Sequence, residues 1–335
     1  MNILIVRVSS LGDVVHNMPM VADILMHFPE AKIDWVVEEA YTSLVRLNSG
    51  VNTVIPMSLR RWRKSLLSTA TRAEMGEFRR VLRSHAYDFV FDTQGLFKTS
   101  VVMRMARLKA GGKRVGLANA TEGSGYEGIS RIFHDISVPV GLHTHAVLRA
   151  RTVAATALGY AIDSAPDFKL RAPAIDISRA GVGERADPAW MPVDLYAVFF
   201  HGTARAQKQW PAANWMQVAQ GLQSRGLSIL LPWGNETEKR AAEQMLSQMP
   251  NGVLLPKLPL MEAVMLAQRA ALVIGVDTGL THIAAAYCRP TIELYGDSPR
   301  WKTQGDWSPN IINLGDLGAS PEVAAVEAAV GRLLG

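Results

Sequence analysis

The residues best suited to chemistry lie in the run 274–288, Ile-Gly-Val-Asp-Thr-Gly-Leu-Thr-His-Ile-Ala-Ala-Ala-Tyr-Cys. Residues 271–276 have the apolar, β-branched makeup of a buried strand. Asp277-Thr278-Gly279 reads as a turn, with two hydrogen-bonding side chains and a glycine that lets a ligand approach the backbone. Residues 280–288 are alanine-rich, as in a helix packed tightly on a sheet. A strand, a small-residue turn and a helix start aim free backbone N–H groups and a positive dipole end at one spot. That spot suits a phosphate or diphosphate. Taken alone, the same pattern is an N-capped core helix.

A matching unit opens the chain. Residues 3–8 are strand-like, Ser9-Ser10-Leu11-Gly12-Asp13 is a turn, and residues 14–28 carry apolar positions at helical spacing. Pro19 leaves two readings. Either a helix kinks there, or it starts there with Pro19 in first position and residues 12–17 form a loop at the carboxyl end of a strand. In the second reading Asp13 is an unpaired carboxylate facing a crevice, where open α/β sheets place ligands. In the other it is a helix cap.

Three further groups could serve an anionic ligand. Thr203, Arg205 and Lys208 follow a strand-like run at 196–200, so a hydroxyl and two cations could neutralise a phosphate. Glu236 and Glu238 follow the next strand, where an acid can hold a ribose, although the first turn of a helix is often acidic anyway. Arg60-Arg61-Trp62-Arg63-Lys64 combines arginines, which bind anions bidentately, with an interleaved aromatic. The plainer reading of that run is a solvated charged face.

The absent motifs narrow the field. There is no Gly-x-Gly-x-x-Gly after a strand and no Walker A sequence, against nicotinamide dehydrogenases and P-loop NTPases. The eight histidines form no metalloprotease pattern, and His143 with His145 reads as surface residues opening a helix rather than a metal pair. Neither a metal nor a cofactor is expected. Asp-Thr-Gly also occurs in aspartic proteases, but there it sits in an all-β fold and would be needed twice.

The elements that must position these residues alternate along the chain. Strands are predicted at 3–8, 33–37, 53–57, 89–92 and 114–117, with helices at 75–84, 98–108 and 145–158. After a proline-rich linker at 166–193, strands recur at 196–200, 227–231, 252–255, 271–276 and 291–295. Helices are predicted at 212–224, 236–247, 260–270, 280–287 and 322–334, the last capped by Ser320 with Pro321 in first position. Such alternation means parallel sheets covered on both faces. The expected architecture is α/β: two doubly wound, Rossmann-like domains, 1–165 and 194–319, facing a cleft. The terminal helix, 320–335, is expected to pack back on the first domain.

With 335 residues, 48% of them apolar, the chain can build two cores. A single cysteine, Cys288, excludes an internal disulfide and fits a reducing compartment. Arg7 and Asp13 interrupt the start as a signal peptide would not, and no run approaches the ~20 apolar residues of a membrane span. A soluble cytoplasmic protein is expected, which argues against an exported solute-binding protein. The net charge of +5 gathers between Arg60 and Arg114, without a helix-turn-helix, zinc or RNA-binding motif. An anionic small molecule or membrane surface therefore fits better than nucleic acid.

Assembled, these motifs resemble glycosyltransferase family 9, the ADP-heptose:lipopolysaccharide heptosyltransferases. The resemblance rests on Ile-Val-Arg-Val-Ser-Ser-Leu-Gly-Asp-Val-Val-His near the N-terminus, Arg60-Arg61-Trp62, Asp92-Thr93-Gln94-Gly95-Leu96-Phe97-Lys98, Lys208-x-Trp210-Pro211, Pro232-Trp233-Gly234 and Val276 through His282. It runs nearly end to end, and the N-terminal run looks like the branch that adds the first heptose to Kdo. The alternative is another nucleotide-sugar transferase of the family, such as the one adding the second heptose.

The resemblance implies a GT-B fold and an inverting, metal-independent transfer. It places a Kdo2-lipid A acceptor on the N-terminal domain and ADP-heptose on the C-terminal domain. Asp13 would be the general base. Lys208 and the helix start at Asp277, Thr278, Gly279 and Leu280 would stabilise the leaving diphosphate. Thr203 would contact phosphate, Glu238 (or Glu236) the ribose and Leu258 the adenine, with His282 lining the pocket. Ser10, Gly12, Arg60, Arg61 and Arg63 would meet the acceptor. A monomer working at the cytoplasmic face of the inner membrane is implied. Ala204, Ala206, Gln207 and Leu258 depart from the family's usual residues, which bears on donor contacts and not on the reaction class.

Overall fold

The computed structural model describes residues 1–173, 190–192, 194–203 and 209–335. It divides into two units, Met1–Arg171 and Ala172–Gly335.

The first unit is built on six parallel strands: β1 (Asn2–Val6), β2 (Lys32–Glu38), β3 (Val51–Met57), β4 (Ala86–Asp92), β5 (Arg107–Leu117) and β6 (Ile136–Val138). Their order is β3-β2-β1-β4-β5-β6. The central strand β1 is flanked on both edges and covered on both faces, which is why Ile3, Leu4, Ile5 and Val6 are all apolar and fully buried. The chain winds outward from β1 through β2 and β3, then returns and winds the other way from β4. The carboxyl ends of β1 and β4 therefore bound the crevice where the strand order reverses.

Helices α1 (Leu11–His16) and α2 (Pro19–His27) follow β1. Pro19 does open a helix, where its missing N–H costs nothing. The preceding stretch is nevertheless helical, so residues 12–17 are not the loop that this reading anticipated. Ser10 caps α1 in extended backbone, with Asp13 three positions on. The unit is completed by α3 (Thr42–Val45), α4 (Leu59–Trp62), α5 (Thr69–Leu82), α6 (Phe97–Met105) and α7 (Ala146–Leu158). The helix expected at 98–108 stops at Met105, because Arg107 and Leu108 join the ladder of β4. A buried bidentate pair, Arg151 Nε to Asp23 Oδ2 at 2.7 Å and Arg151 Nη2 to Asp23 Oδ1 at 2.9 Å, fastens α7 to α2.

The first unit runs to Arg171, a few residues past the boundary expected at 165. Asn48 donates to the Phe168 carbonyl at 3.0 Å, Ser49 N to Lys169 O at 2.9 Å and Arg171 N to Leu47 O at 2.9 Å. The first residues of the expected linker thus lie on the first unit, and most of the rest fall outside the described residues.

The second unit repeats the plan with β7 (Tyr196–Phe200), β8 (Ser228–Leu231), β9 (Gly252–Leu254), β10 (Leu272–Val276), β11 (Thr291–Leu294) and β12 (Ile311–Leu314), in the order β12-β11-β10-β7-β8-β9. Its reversal lies between β7 and β10. The helices are α8 (Ala212–Gln223), α9 (Glu236–Leu246), α10 (Leu260–Arg269), α11 (Gly279–Ala286) and α12 (Val323–Leu334).

The C-terminal helix corrects one expectation, that of its cap. Val326, Ala329 and Val330 of α12 are buried in the second unit's own core with Trp215, Leu222 and Leu294. The cap is Glu322, two residues beyond Ser320. The chain stays extended that far because the Pro321 carbonyl accepts the buried Trp210 indole N–H at 2.9 Å, after an Asp316–Ala319 bridge. Among the described residues no helix is long and apolar enough to cross a membrane.

Candidate active site

In the first unit the loops leaving β1 and β4 are tied across the crevice. Arg7 Nη1 donates to the Thr93 carbonyl at 2.6 Å, and Val8 N donates to Gln94 Oε1 at 3.0 Å. Asp92, fully buried, accepts from Gln94 N, Gly95 N, Thr99 Oγ1 and Ser100 Oγ at 2.8–3.1 Å. It braces the turn into α6, and Gly95 takes the positive φ of 71° that this turn requires.

Asp13 sits on that crevice in the first turn of α1. Its Oδ2 accepts Ser10 N at 3.1 Å and Ser10 Oγ at 2.8 Å. Its Oδ1 lies 2.6 Å from Arg7 Nη2 and 3.7 Å from Arg149 Nη2. The carboxylate is therefore not unpaired, as the sequence suggested, but it keeps 36% of its side chain exposed. Burial would raise its pKa; Arg7 and Arg149, helped by the Ser10 hydrogen bonds, outweigh burial and hold it well below the usual carboxylate range.

Arg7 and Arg149 are 5% and 6% exposed, so two guanidiniums face one carboxylate and leave a surplus positive charge. Arg149 also donates to Thr121 Oγ1 at 2.9 Å, and burial, then repulsion from Arg7, pushes it down to about 10. Neither arginine was singled out as a site residue from sequence. Arg7 shows there only as a charge breaking an apolar strand, and Arg149 as a cation inside an apolar helix.

Ser10 is exposed and Gly12 half-buried beside Asp13. Arg60, Arg61 and Arg63 lie on and just after α4, at the carboxyl end of β3. That is the same sheet edge, two strand spacings or about 10 Å across from β1. The group is less basic than it reads. Arg61 Nε and Nη2 meet Glu39 at 3.2 and 3.0 Å, and Nη1 meets Glu74 at 2.9 Å. Trp62 is not a stacking platform: it is buried against Phe78 and its indole N–H donates to Glu74 at 2.8 Å.

In the second unit the run 277–282 leaves β10 as a turn into α11, with Thr278 as N-cap in extended backbone. Thr278, Gly279 and Leu280 remain half-exposed at the mouth. As first-turn groups, the N–H groups of Gly279, Leu280 and Thr281 have no acceptor in their own helix. Thr281 faces inward, donating to Val276 O at 2.9 Å, and fills the space over Gly275 so tightly that a Cβ there would lie 2.1 Å from its Oγ1.

His282 differs from expectation. Both ring nitrogens meet carboxylates, Nε2 to Asp277 Oδ1 at 3.0 Å and Nδ1 to Glu293 Oε1 at 2.9 Å. It lies beneath the mouth and sets Asp277 in place, rather than lining the pocket. Burial would lower its pKa; Glu293 and Asp277 outweigh that and push it up to about 10, so it is an imidazolium. Asp277 Oδ2 also accepts Ser298 Oγ at 2.7 Å, and Glu293 accepts Tyr295 OH at 3.0 Å and Gly305 N at 2.8 Å. Glu293 gave no signal in sequence, being one acid inside a buried strand.

Three more loops reach the same sheet edge. After β8, Glu238 Oε2 accepts Gly234 N at 2.7 Å and its Oε1 accepts Asn235 Nδ2 at 2.8 Å. Its carboxyl lies against the loop after β7, where a Cβ on Gly202 would be 2.5 Å from Glu238 Cδ. Glu236 is exposed instead. His201, 5% exposed, is held by the Pro232 carbonyl, and its buried Nε2 has no partner among the described residues. Thr203 is half-buried on this loop; Lys208 lies outside the described residues. Leu258 is half-buried after β9. A cavity of about 280 Å³ opens at these strand ends, lined by Trp210, Pro211, Val276, Leu294, Tyr295 and Gly296 among others. No cluster of three metal-ligating side chains occurs among the described residues.

Residues 75–330 match the family profile of glycosyltransferase family 9 (heptosyltransferase). Lipopolysaccharide heptosyltransferase 1 of Pseudomonas aeruginosa is 36% identical over 297 residues, 88% of this chain and 79% of that protein. Its counterpart in Escherichia coli K12 is 34% identical over 298 residues, 88% of both chains. Among solved structures, E. coli heptosyltransferase WaaC with ADP superposes with a TM-score of 0.82 at 31% identity, covering 99% of this chain and 100% of that one. The same enzyme with ADP-2-deoxy-2-fluoro heptose gives a TM-score of 0.76 at 31% identity, covering 100% of this chain and 99% of that one.

Proposed function

The chain belongs to glycosyltransferase family 9, and from that premise we propose that it moves L-glycero-D-manno-heptose from ADP-heptose to a Kdo sugar of Kdo2-lipid A, with inversion, in lipopolysaccharide inner-core biosynthesis. The observation that carries the choice within the family is the 36% identity to lipopolysaccharide heptosyltransferase 1, spanning 88% of the chain. The enzyme would work as a monomer at the cytoplasmic face of the inner membrane.

The residues supply the parts of such a transfer. A Kdo hydroxyl attacks the anomeric carbon of heptose as the bond from that carbon to the diphosphate breaks, and ADP departs with the electron pair. Asp13 takes the hydroxyl proton. Arg7 and Arg149 keep it ionised, and the proton leaves late, once the new C–O bond has acidified the hydroxyl enough for a weak base to take it. The surplus charge of Arg7 and Arg149 suits an anionic sugar beside it.

On the donor side, the start of α11 and Lys208 stabilise the diphosphate by dipole and charge, with Thr203 at a phosphate oxygen. Glu238, held against Gly202, is the ribose acceptor in preference to the exposed Glu236. Leu258 lines the adenine side, and Asp277, locked by His282, holds the turn whose helix-start N–H groups face the sugar diphosphate.

Incubation with ADP-heptose and Kdo2-lipid A should release ADP and add one heptose to the lipid. If ADP release requires an acceptor that already carries a heptose, the assignment within the family is wrong.

A further inference from the structure

The turn between α4 and α5 carries the most exposed large apolar side chain among the described residues. Leu67 is 82% exposed, and Leu66 beside it 54%. Single exposed leucines are ordinary, but an adjacent pair at a turn tip leaves a compact apolar point in water. The tip is held rather than trailing. Its base is anchored by buried Trp62 and the Trp62–Glu74 hydrogen bond of 2.8 Å. Ser65 N donates to Trp62 O at 3.0 Å, Ser68 N to Ser65 O at 3.0 Å, and the Ser65 and Thr71 hydroxyls meet at 3.0 Å.

Cations surround this point. Residues 60–73 contain Arg60, Arg61, Arg63, Lys64 and Arg72 and no acidic residue. Glu39 and Glu74 offset Arg61. Arg63, Lys64 and Arg72 are exposed and without an ion-pair partner among the described residues. A protruding apolar tip ringed by lysine and arginine matches the boundary between acyl chains and anionic headgroups. We propose that this turn docks the protein on an anionic lipid bilayer, Leu66 and Leu67 entering the headgroup–acyl boundary while Lys64 and Arg72 meet lipid phosphates. The inference goes beyond the proposed transfer and rests on it only for an acceptor presented by a bilayer.

Full-length protein is sedimented with vesicles of phosphatidylcholine, alone or mixed with phosphatidylglycerol, all free of lipid A. Binding should favour the phosphatidylglycerol vesicles and weaken with salt. Removing two cations should weaken it about 30-fold in K64Q/R72Q, at about 1 kcal/mol per charge near the surface. L66S/L67S should weaken it about tenfold or more while keeping the salt dependence. As a second readout, the added indole in Leu67→Trp should shift its emission to the blue only with phosphatidylglycerol vesicles.

Unchanged binding by L66S/L67S overturns the proposal. So does binding that appears only when the vesicles carry Kdo2-lipid A, which would make the turn an acceptor contact, or self-association that L66S/L67S abolishes, which would make it a subunit contact. Transfer to a soluble, deacylated Kdo acceptor separates the two ideas. L66S/L67S should retain it, whereas its absence in the wild-type protein would sink the proposed function and leave the vesicle result standing.

Discussion

Asp13 touches two kinds of partner that an asparagine would treat differently, which makes Asp13→Asn a decisive substitution. Its Oδ2 accepts the Ser10 N–H and hydroxyl at 3.1 and 2.8 Å, as an amide oxygen also can. Its Oδ1 meets Arg7 at 2.6 Å and Arg149 at 3.7 Å, where an amide offers no charge. Breaking a fully buried pair from one side costs about 3–5 kcal/mol. With Asp13 36% exposed, water recovers much of that, leaving about 1–2 kcal/mol in the range toward surface pairs. For a unit of this size that is about 3–6 °C in Tm.

Loss of a general base acts on another scale, about 10²–10⁴ in kcat, or roughly 2.7–5.4 kcal/mol of barrier. The assay pairs kcat for ADP release at saturating substrates with Tm by calorimetry and ADP affinity by titration. The expected result is a kcat loss in that range, a small Tm decrease and near-unchanged ADP affinity. A kcat within a few-fold of wild type would refute the reasoning and leave Asp13 as a brace between Ser10 and Arg7. Equal losses of kcat and ADP affinity would refute it too, because a base on the acceptor side has no part in holding ADP.

Four other outcomes follow from the same geometry. His282 has a raised pKa, about 10 against 6.5 when unfolded, so its stabilisation is complete below about pH 6.5, declines as pH rises and is gone above about 10. In Tm measured against pH, Glu293→Gln should flatten that alkaline decline, and an unchanged slope would show that another group titrates there. Gly202→Ala forces a Cβ to 2.5 Å from Glu238 Cδ and should raise donor KM about 10–100-fold, as for a lost charge-assisted hydrogen bond, with kcat largely kept. Lys208→Ala should cost roughly 1.5–3 kcal/mol in donor-side kinetics, read as lower kcat, higher donor KM or both. Within the arginine cluster, Arg60→Gln with Arg63→Gln should raise acceptor KM and reduce its salt dependence. Arg61→Gln, which unpairs Glu39 and Glu74, should lower Tm instead.

Much of the architecture was legible from local pattern. Buried strands read as apolar runs, and β7 was placed to the residue because nothing but apolar side chains occupies 196–200. The turn at 277–279 announced itself because a helix start on a buried strand needs small, hydrogen-bonding residues. The edge strands β6 and β12 escaped notice: they are short and only partly buried, so their composition is not distinctive. The first seven residues of β5 escaped for a different reason. Charged and glycine-rich, they become a strand through their ladder with β4, not through their own preference.

The candidate sites divide in the same way. Asp13, Thr203, Glu238 and the 277–280 turn could be picked out because each follows a strand, and spacing records the strand and the turn. Spacing does not record which strands become neighbours. Only the reversal of strand order at β1/β4 and at β7/β10 brings the two loops of each crevice together, and with them the partners that set each charge. Arg149 comes to Asp13 from a helix beyond the last strand of its sheet, and Glu293 comes to His282 from the adjacent strand. A sequence shows a carboxylate or an imidazole and its ordinary pKa. Whether Asp13 stands alone or between two guanidiniums, and whether His282 meets a ligand or two buried carboxylates, depends on burial and on charges within a few ångströms, which only the folded chain brings together.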